Sequence, residues 1–212
     1  MCLNNAWMLG AKEETLSSSV LVAYATRYGS TQEVAQAVAA ELRERGLAVD
    51  IQPMQEVRSL EGYRAIVLGT AIYMFRLHKD ARRFLARHRE DLTQRPVAIF
   101  ALGPFNDEEK EWQGVRAQLD KELAQFPWFT PVAREIFGGK FDPAKLRFPY
   151  NLVPYLKRLP ASDIRDWKAI RAWASNLAEK LQRAALASGS TTCARSRSGQ
   201  ERTCAGPSSK IY

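Results

Sequence analysis

Six residues, Thr26-Arg27-Tyr28-Gly29-Ser30-Thr31, lie between two segments of opposite periodicity. Upstream, Val20-Leu21-Val22-Ala23-Tyr24-Ala25 is an apolar run of strand length. Downstream, Val34, Val38 and Leu42 recur at helical spacing, with Ala35 and Ala39 on the same face. A hydroxyl- and glycine-rich turn at this junction fixes a strand-to-helix unit and offers a place for an anion. The first N–H groups of a helix have no intrahelical acceptor, and the helix dipole favours negative charge there. Gly29 lets the backbone approach a ligand, and Thr26, Ser30 and Thr31 add hydroxyl donors. Ser30 and Glu33 have capping-box spacing, which predicts Ser30 as the helix cap. In isolation the hexapeptide reads equally well as an ordinary strand-to-helix turn with a serine cap; the rest of the chain shifts the balance.

The strand-helix alternation continues. Strands are predicted at 20–25, 47–52, 65–69, 97–102 and 132–137, the last closed by Gly138-Gly139. Helices are predicted at 31–45, stopped by Gly46, and at 78–91, 109–126 and 163–183. Short apolar strands separated by amphipathic helices imply a parallel sheet with helices on both faces. Right-handed crossovers give an α/β, doubly wound, five-stranded parallel sheet of order 2-1-3-4-5. Residues 140–160 break the alternation. They hold four prolines among Phe141, Phe148, Tyr150, Tyr155, Lys145, Arg147, Lys157 and Arg158, and so read as a basic, aromatic insertion before the last helix. Residues 1–19 form a polar leader. Residues 184–212, rich in Ser, Thr, Gly, Ala and Arg, are expected to be a disordered tail.

At 212 residues and 46% hydrophobic content, the chain suits one well-buried domain, here 20–183. No apolar run approaches the roughly 18–20 residues of a membrane span. Residues 1–19 lack the basic-then-apolar order of a secretory signal, so the expected location is cytoplasmic. The three cysteines, Cys2, Cys193 and Cys204, fall in the leader and tail, which argues against a disulfide framework or a cysteine metal site. The formal net charge is +8, and residues 20–183 alone carry 26 basic and 20 acidic residues. That balance favours acidic partners, among them a phosphorylated ligand, a carboxylated substrate or an anionic membrane surface.

In a doubly wound sheet the ligand site lies outside the carboxyl ends of the strands, at the switch point. Three loops meet there: Thr26, Arg27, Tyr28, Gly29, Ser30 and Thr31 after the first strand; Thr70, Ala71, Ile72, Tyr73, Met74 and Phe75 after the third; Gly103, Pro104, Phe105, Asn106 and Asp107 after the fourth, with Leu102 at that strand's end as a further site residue. The first loop has neither the lysine and longer glycine spacing of a triphosphate loop nor G-x-G-x-x-G, so it suits a single phosphate. Tyr73 and Phe105 offer flat apolar surfaces beside it. A monophosphate site flanked by aromatics fits a planar ring carrying a phosphorylated side chain, and FMN is the natural candidate. No metal is required, and the flavin would carry the redox chemistry with no catalytic side chain.

The phosphate loop resembles the T-x-x-G-x-T loop of flavodoxins. Gly69-Thr70-Ala71-Ile72-Tyr73 followed by His78, the insertion, and Asp166-Trp167 at the last helix resemble flavodoxin-type, menaquinone-dependent protoporphyrinogen oxidases. That resemblance implies a flavodoxin-like fold and non-covalent FMN. It implies electron transfer from a reduced tetrapyrrole or similar donor to a quinone at the membrane. Thr26, Arg27, Gly29, Ser30 and Thr31 would then hold the phosphate. Thr70, Ala71, Ile72 and Tyr73 would line the ring, with Gly103, Pro104, Phe105 and Asn106 on its other side. The insertion 140–160 would be a lid over substrate or a peripheral membrane contact on the inner face.

Two other readings compete. A flavodoxin-like electron carrier without a substrate of its own is disfavoured by the basic core, because carriers tend to be acidic. A basic module for nucleic acid has no recognition motif behind it, so none is expected as a partner. His78 is expected as a helix-start residue with a local hydrogen bond. His88 is expected as a packed residue on the apolar side of its helix.

Overall fold

The computed structural model describes residues 19–73, 76–145, 152 and 160–190, with side chains described for all but Tyr73 and 184–190. The expected leader up to residue 18, Met74, Phe75, most of the insertion beyond Lys145 and the tail beyond Ser190 lie outside these residues.

β1 (Ser19–Tyr24), β2 (Ala48–Pro53), β3 (Ala65–Tyr73), β5 (Val97–Leu102) and β6 (Ala133–Phe137) form a parallel sheet in the order β2-β1-β3-β5-β6. Counted as parallel strands alone, this is the expected 2-1-3-4-5. The register runs Val20↔Val49 and Val20↔Ala65 on either side of β1, then Ile66↔Val97 and Ala98↔Ala133 outward.

The period-two alternation of β1 divides the core. Val20 and Val22 face α1 (Ser30–Glu44) and the last helix, α5 (Trp167–Ser190), meeting Val34, Val38, Leu42, Ile170, Ala174 and Leu177. Leu21 and Ala23 face the other layer, with Phe84, Leu85, Leu92, Leu119 and Leu123. That layer contains α2 (Lys79–Arg87), α3 (Arg89–Thr93) and α4 (Glu109–Leu123). All six residues of β5 are buried, as expected of a strand covered on both faces. Each fully buried Leu, Ile or Phe contributes about 1.5–3 kcal/mol, against about 0–1 for an exposed ion pair, so these two layers dominate the fold. The edge strand β6 exposes Arg134 and Glu135, which discourages further strand pairing.

Four expectations are corrected. First, 70–73 is strand rather than loop. β3 runs on to Tyr73 and turns back into β4 (Arg76–Leu77), pairing Ile72↔Leu77. Burial of both Ile72 and Leu77 rewards that extension. Second, the expected helix 78–91 is broken at His88, whose φ of −106° and ψ of 27° leave the helical region. The His88 ring tilts against Phe84 at 4.7 Å and the side chain is buried. Third, the helix cap is Gly29 and not Ser30. Gly29 has φ 94°, its carbonyl accepts from the Glu33 N–H, and Ser30 is already helical. A left-handed cap residue suits glycine, and the Glu33 carboxylate is used elsewhere. Fourth, Asp163 is strand and not the start of the last helix. β7 (Lys140–Phe141) pairs antiparallel with β8 (Ser162–Asp163), and a 3₁₀ turn spans Pro143–Lys145. The last helix starts at Trp167, after that strand, and its backbone continues to Ser190.

Candidate functional site

The site grows from the carboxyl ends of β1, β3 and β5 and from the chain that leaves β6. The Thr26 hydroxyl oxygen accepts the Gly29 N–H at 2.9 Å, which folds the first loop back on itself before α1 begins. As a hydroxyl, Thr26 has a proton of its own to donate as well. Ser30 and Thr31 open α1, so their N–H groups lack intrahelical acceptors. Thr31 is 1% exposed, and its hydroxyl has no hydrogen-bond partner among the described residues. An orphaned buried hydroxyl is costly unless something else satisfies it. Its position beside a helix N-terminus suits a phosphate oxygen.

A cleft opens from this loop, with about 760 Å³ of free space between its walls, part of it open to solvent. Thr26, Arg27, Tyr28, Ser30, Thr31 and Glu33 form one wall, and Ala71, Ile72, His78, Leu102 and Phe105 the apolar side. Gly139, Lys140, Phe141, Asp142 and Lys145 close it from the insertion. Phe105 and Phe141 meet edge to face at 5.8 Å, joining the third loop to the insertion. The Arg27 guanidinium lies 5.7 Å from the centre of the Tyr28 ring.

The structure therefore brings nine expected site residues to one cleft: Thr26, Arg27, Tyr28, Ser30, Thr31, Ala71, Ile72, Leu102 and Phe105. Gly29 shapes the loop that carries them. Thr70 is fully buried within β3, outside the cleft lining, and its hydroxyl has no partner among the described residues. Gly103 is packed against Val115, where an added Cβ would lie 2.3 Å from a methyl carbon. The Pro104 carbonyl accepts the Gly139 N–H at 2.6 Å, and the Asn106 side chain accepts the Glu108 N–H at 3.1 Å. Both residues build the third loop and its junction with the insertion. The Tyr73 side chain lies outside the described residues.

Beyond the named site residues the cleft also takes in Glu33, His78 and Gly139, and the start of the insertion, Lys140, Phe141, Asp142 and Lys145, which the sequence offered only as part of a lid or a membrane contact. The signal available was Gly138-Gly139. A Cβ on Gly138 would come within 2.1 Å of the Ile164 carbonyl oxygen, and one on Gly139 within 2.9 Å of the Pro104 oxygen. The glycine pair lets the insertion fold back over the sheet end.

His78 caps α2, its Nδ1 accepting the Asp80 N–H at 3.3 Å, as expected of a helix-start residue. Burial holds its pKa below the usual imidazole value, with Lys79 and Arg27 acting in the same direction and Asp80 opposing. His88 is also lowered by burial, then by Arg87. Arg165 joins the strand after the insertion to Glu33, a residue of the cleft lining. It donates to both carboxylate oxygens of Asp163, at 2.7 and 2.6 Å, and to Glu33 at 2.7 Å. Those hydrogen bonds hold the Asp163 carboxyl below its ordinary range. Among the described residues no group of three or more His, Cys, Asp or Glu is arranged to hold a metal ion. No helix among them is long and apolar enough to cross a membrane.

Comparison with known proteins places this geometry. A flavodoxin domain family model matches residues 21–150. Protoporphyrinogen IX dehydrogenase [quinone] of Escherichia coli strain K12 is 29% identical over 177 residues, covering 78% of this chain and 98% of the relative. The protein of the same name from Escherichia coli O157:H7 matches to the same extent. Among solved structures, a short-chain flavodoxin associated with a PDU bacterial microcompartment superposes with a TM-score of 0.53. It is 16% identical, and the match covers 79% of this chain and 98% of that one. Its likeness supports the doubly wound fold. FMN is the cofactor that the flavodoxin domain implies, and the orphaned Thr31 hydroxyl at a helix start fits its phosphate. With its family model matched over more than half its length, the chain belongs to the flavodoxin domain family.

Proposed function

We propose that this flavodoxin-type protein is an FMN-dependent oxidoreductase that takes electrons from a reduced tetrapyrrole and delivers them to a quinone at a membrane surface. The observation that carries the reading is the far wall of the cleft. Lys140 and Lys145 stand beside Phe105 and Phe141, so cations and aromatic edges border the same opening. An apolar macrocycle with carboxylate side chains needs both. The similarity to protoporphyrinogen IX dehydrogenase over nearly all of that relative's length supports the same substrate class.

In this reading Thr26, Ser30 and Thr31 bind the cofactor phosphate through hydroxyl and backbone donors. Ala71, Ile72 and Leu102 provide an apolar wall that excludes water from the ring. Bound FMN supplies the capacity to accept electrons from one partner and pass them to another. Lys140 and Lys145 orient the carboxylated donor, and the insertion rests at the lipid headgroup boundary, where a quinone is available.

The test is anaerobic incubation of the FMN-loaded protein with protoporphyrinogen IX and a soluble naphthoquinone, read by porphyrin fluorescence. Porphyrin should form well above the enzyme-free rate only when both protein and quinone are present. A protein that holds FMN yet gives no porphyrin above that background would leave the electron-carrier reading in its place.

A further inference from the structure

Arg165 is buried to an extent unusual for an arginine, its side chain 3% exposed, and it contacts two carboxylates from distant parts of the chain. Asp163 ends β8, the strand that returns the insertion to the body of the protein. Glu33 stands in the first turn of α1, 132 positions away, and lines the cleft with Ser30 and Thr31. The guanidinium lies 4.7 Å from the centre of the Trp167 ring, which covers it. Lys140 reaches Asp163 from the paired strand at 3.7 Å.

Removing a guanidinium from water is expensive unless charge-assisted hydrogen bonds replace the lost hydration. A simple staple between insertion and helix could be apolar and would cost less. The ionic form has a consequence at the cleft. Glu33 is an acidic residue one turn inside a helix whose N-terminus faces the phosphate site. Left to itself, its carboxylate would oppose the phosphate and cancel part of the favourable helix-end field. The bond from Arg165 holds that carboxylate, and with Lys140 on Asp163 the two cations balance the two carboxylates.

We infer that Arg165 is a positioning residue for the cofactor phosphate: by engaging Glu33 it keeps the phosphate end of the cleft receptive to a dianion while fixing the base of the insertion against α1. The inference rests on FMN occupying the cleft. It makes the Arg165–Glu33 pair a determinant of the preference for FMN over riboflavin, which has the same ring and no phosphate.

The experiment is fluorescence titration of the flavin-free full-length chain with FMN and, separately, with riboflavin. It compares wild type, Arg165→Met, Glu33→Gln and the double variant. Arg165→Met should weaken FMN binding roughly tenfold or more and riboflavin binding less than about threefold, because only FMN carries the opposed charge. The double variant should return FMN affinity to within about threefold of wild type, since the uncompensated carboxylate is gone. Glu33→Gln alone should raise the FMN-over-riboflavin preference by roughly threefold, because Arg165 then faces one carboxylate fewer. Equal losses for both flavins, or a double variant that stays weak, would show Arg165 to be a staple only and overturn the inference. If Arg165→Met does not fold, Glu33→Gln decides alone. Its side chain is 45% exposed, so folding tolerates the change; an unchanged or lowered FMN preference overturns the inference. A wild-type chain that binds neither flavin overturns the cofactor reading itself, and this inference with it.

Discussion

At the scale of a single residue, Thr31 shows how a cost in the fold becomes affinity in the site. Its hydroxyl is buried with no partner among the described residues, although a threonine there could be replaced by an isosteric valine. Thr31→Val should therefore stabilise the flavin-free protein, by about 1 kcal/mol, because an unsatisfied polar group is removed. The same change should weaken FMN binding by roughly tenfold, the loss of one hydrogen bond to a charged oxygen. Urea unfolding without flavin and an FMN titration measure the two effects. A valine variant that binds FMN as tightly as wild type would remove Thr31 from the phosphate site. Gly29 and Thr26 work at the same scale. The left-handed glycine and the threonine oxygen that accepts its N–H set the loop before any ligand arrives.

At the scale of the element, the α2–α3 pair is framed by two histidines. His78 caps the first helix, and His88 forms the joint between the two. Burial lowers both pKa values from the ordinary 6.5. The unfolded chain then binds protons more readily than the folded one as pH falls below about 6.5, so stability rises with pH in that window. The contribution is complete above the unfolded value and is lost as pH drops through the folded ones. The urea midpoint should fall between pH 7.5 and pH 5, before most carboxylates titrate. His88→Leu should flatten that slope while preserving the packing against Phe84. A midpoint independent of pH in wild type, or an unchanged slope in the variant, would contradict the assignment.

At the scale of the whole molecule, charge is the property that no single element explains. The excess of basic residues persists between positions 20 and 183, and the insertion places Lys140 and Lys145 at the open side of the cleft. That arrangement supports the proposed peripheral contact with anionic lipid, to which each basic residue near the surface would add about 1 kcal/mol. In flotation assays the full chain should rise with vesicles containing phosphatidylglycerol and stay down with purely zwitterionic ones. About 0.5 M salt should release it, as the screening length shortens. Equal binding to both vesicle types, or to neither, would argue against an electrostatic membrane contact.

The local pattern of this sequence determined a great deal. The run Val20 to Tyr24 reads as a covered strand from its short length and β-branched valines, and the spacing of Val34, Val38 and Leu42 reads as one buried helix face, because positions three and four apart share a side of a helix. The parallel order, the switch-point loops and the phosphate turn followed from those periods and from short connections. What lay beyond the sequence was decided by contacts between distant segments. The extension of β3 to Tyr73 depends on Ile72 meeting Leu77 across a hairpin. The break at His88 depends on tertiary packing of its buried ring. Glu33 has the spacing to cap its own helix, yet its carboxylate bonds Arg165, 132 residues later, and a glycine takes the cap. Lys140, Phe141 and Lys145 become cleft residues only because Gly138 and Gly139 allow a backbone approach that no side chain would permit. Periodicity is written in neighbours along the chain, whereas ion pairs and close backbone crossings depend on which neighbours the fold brings together in space.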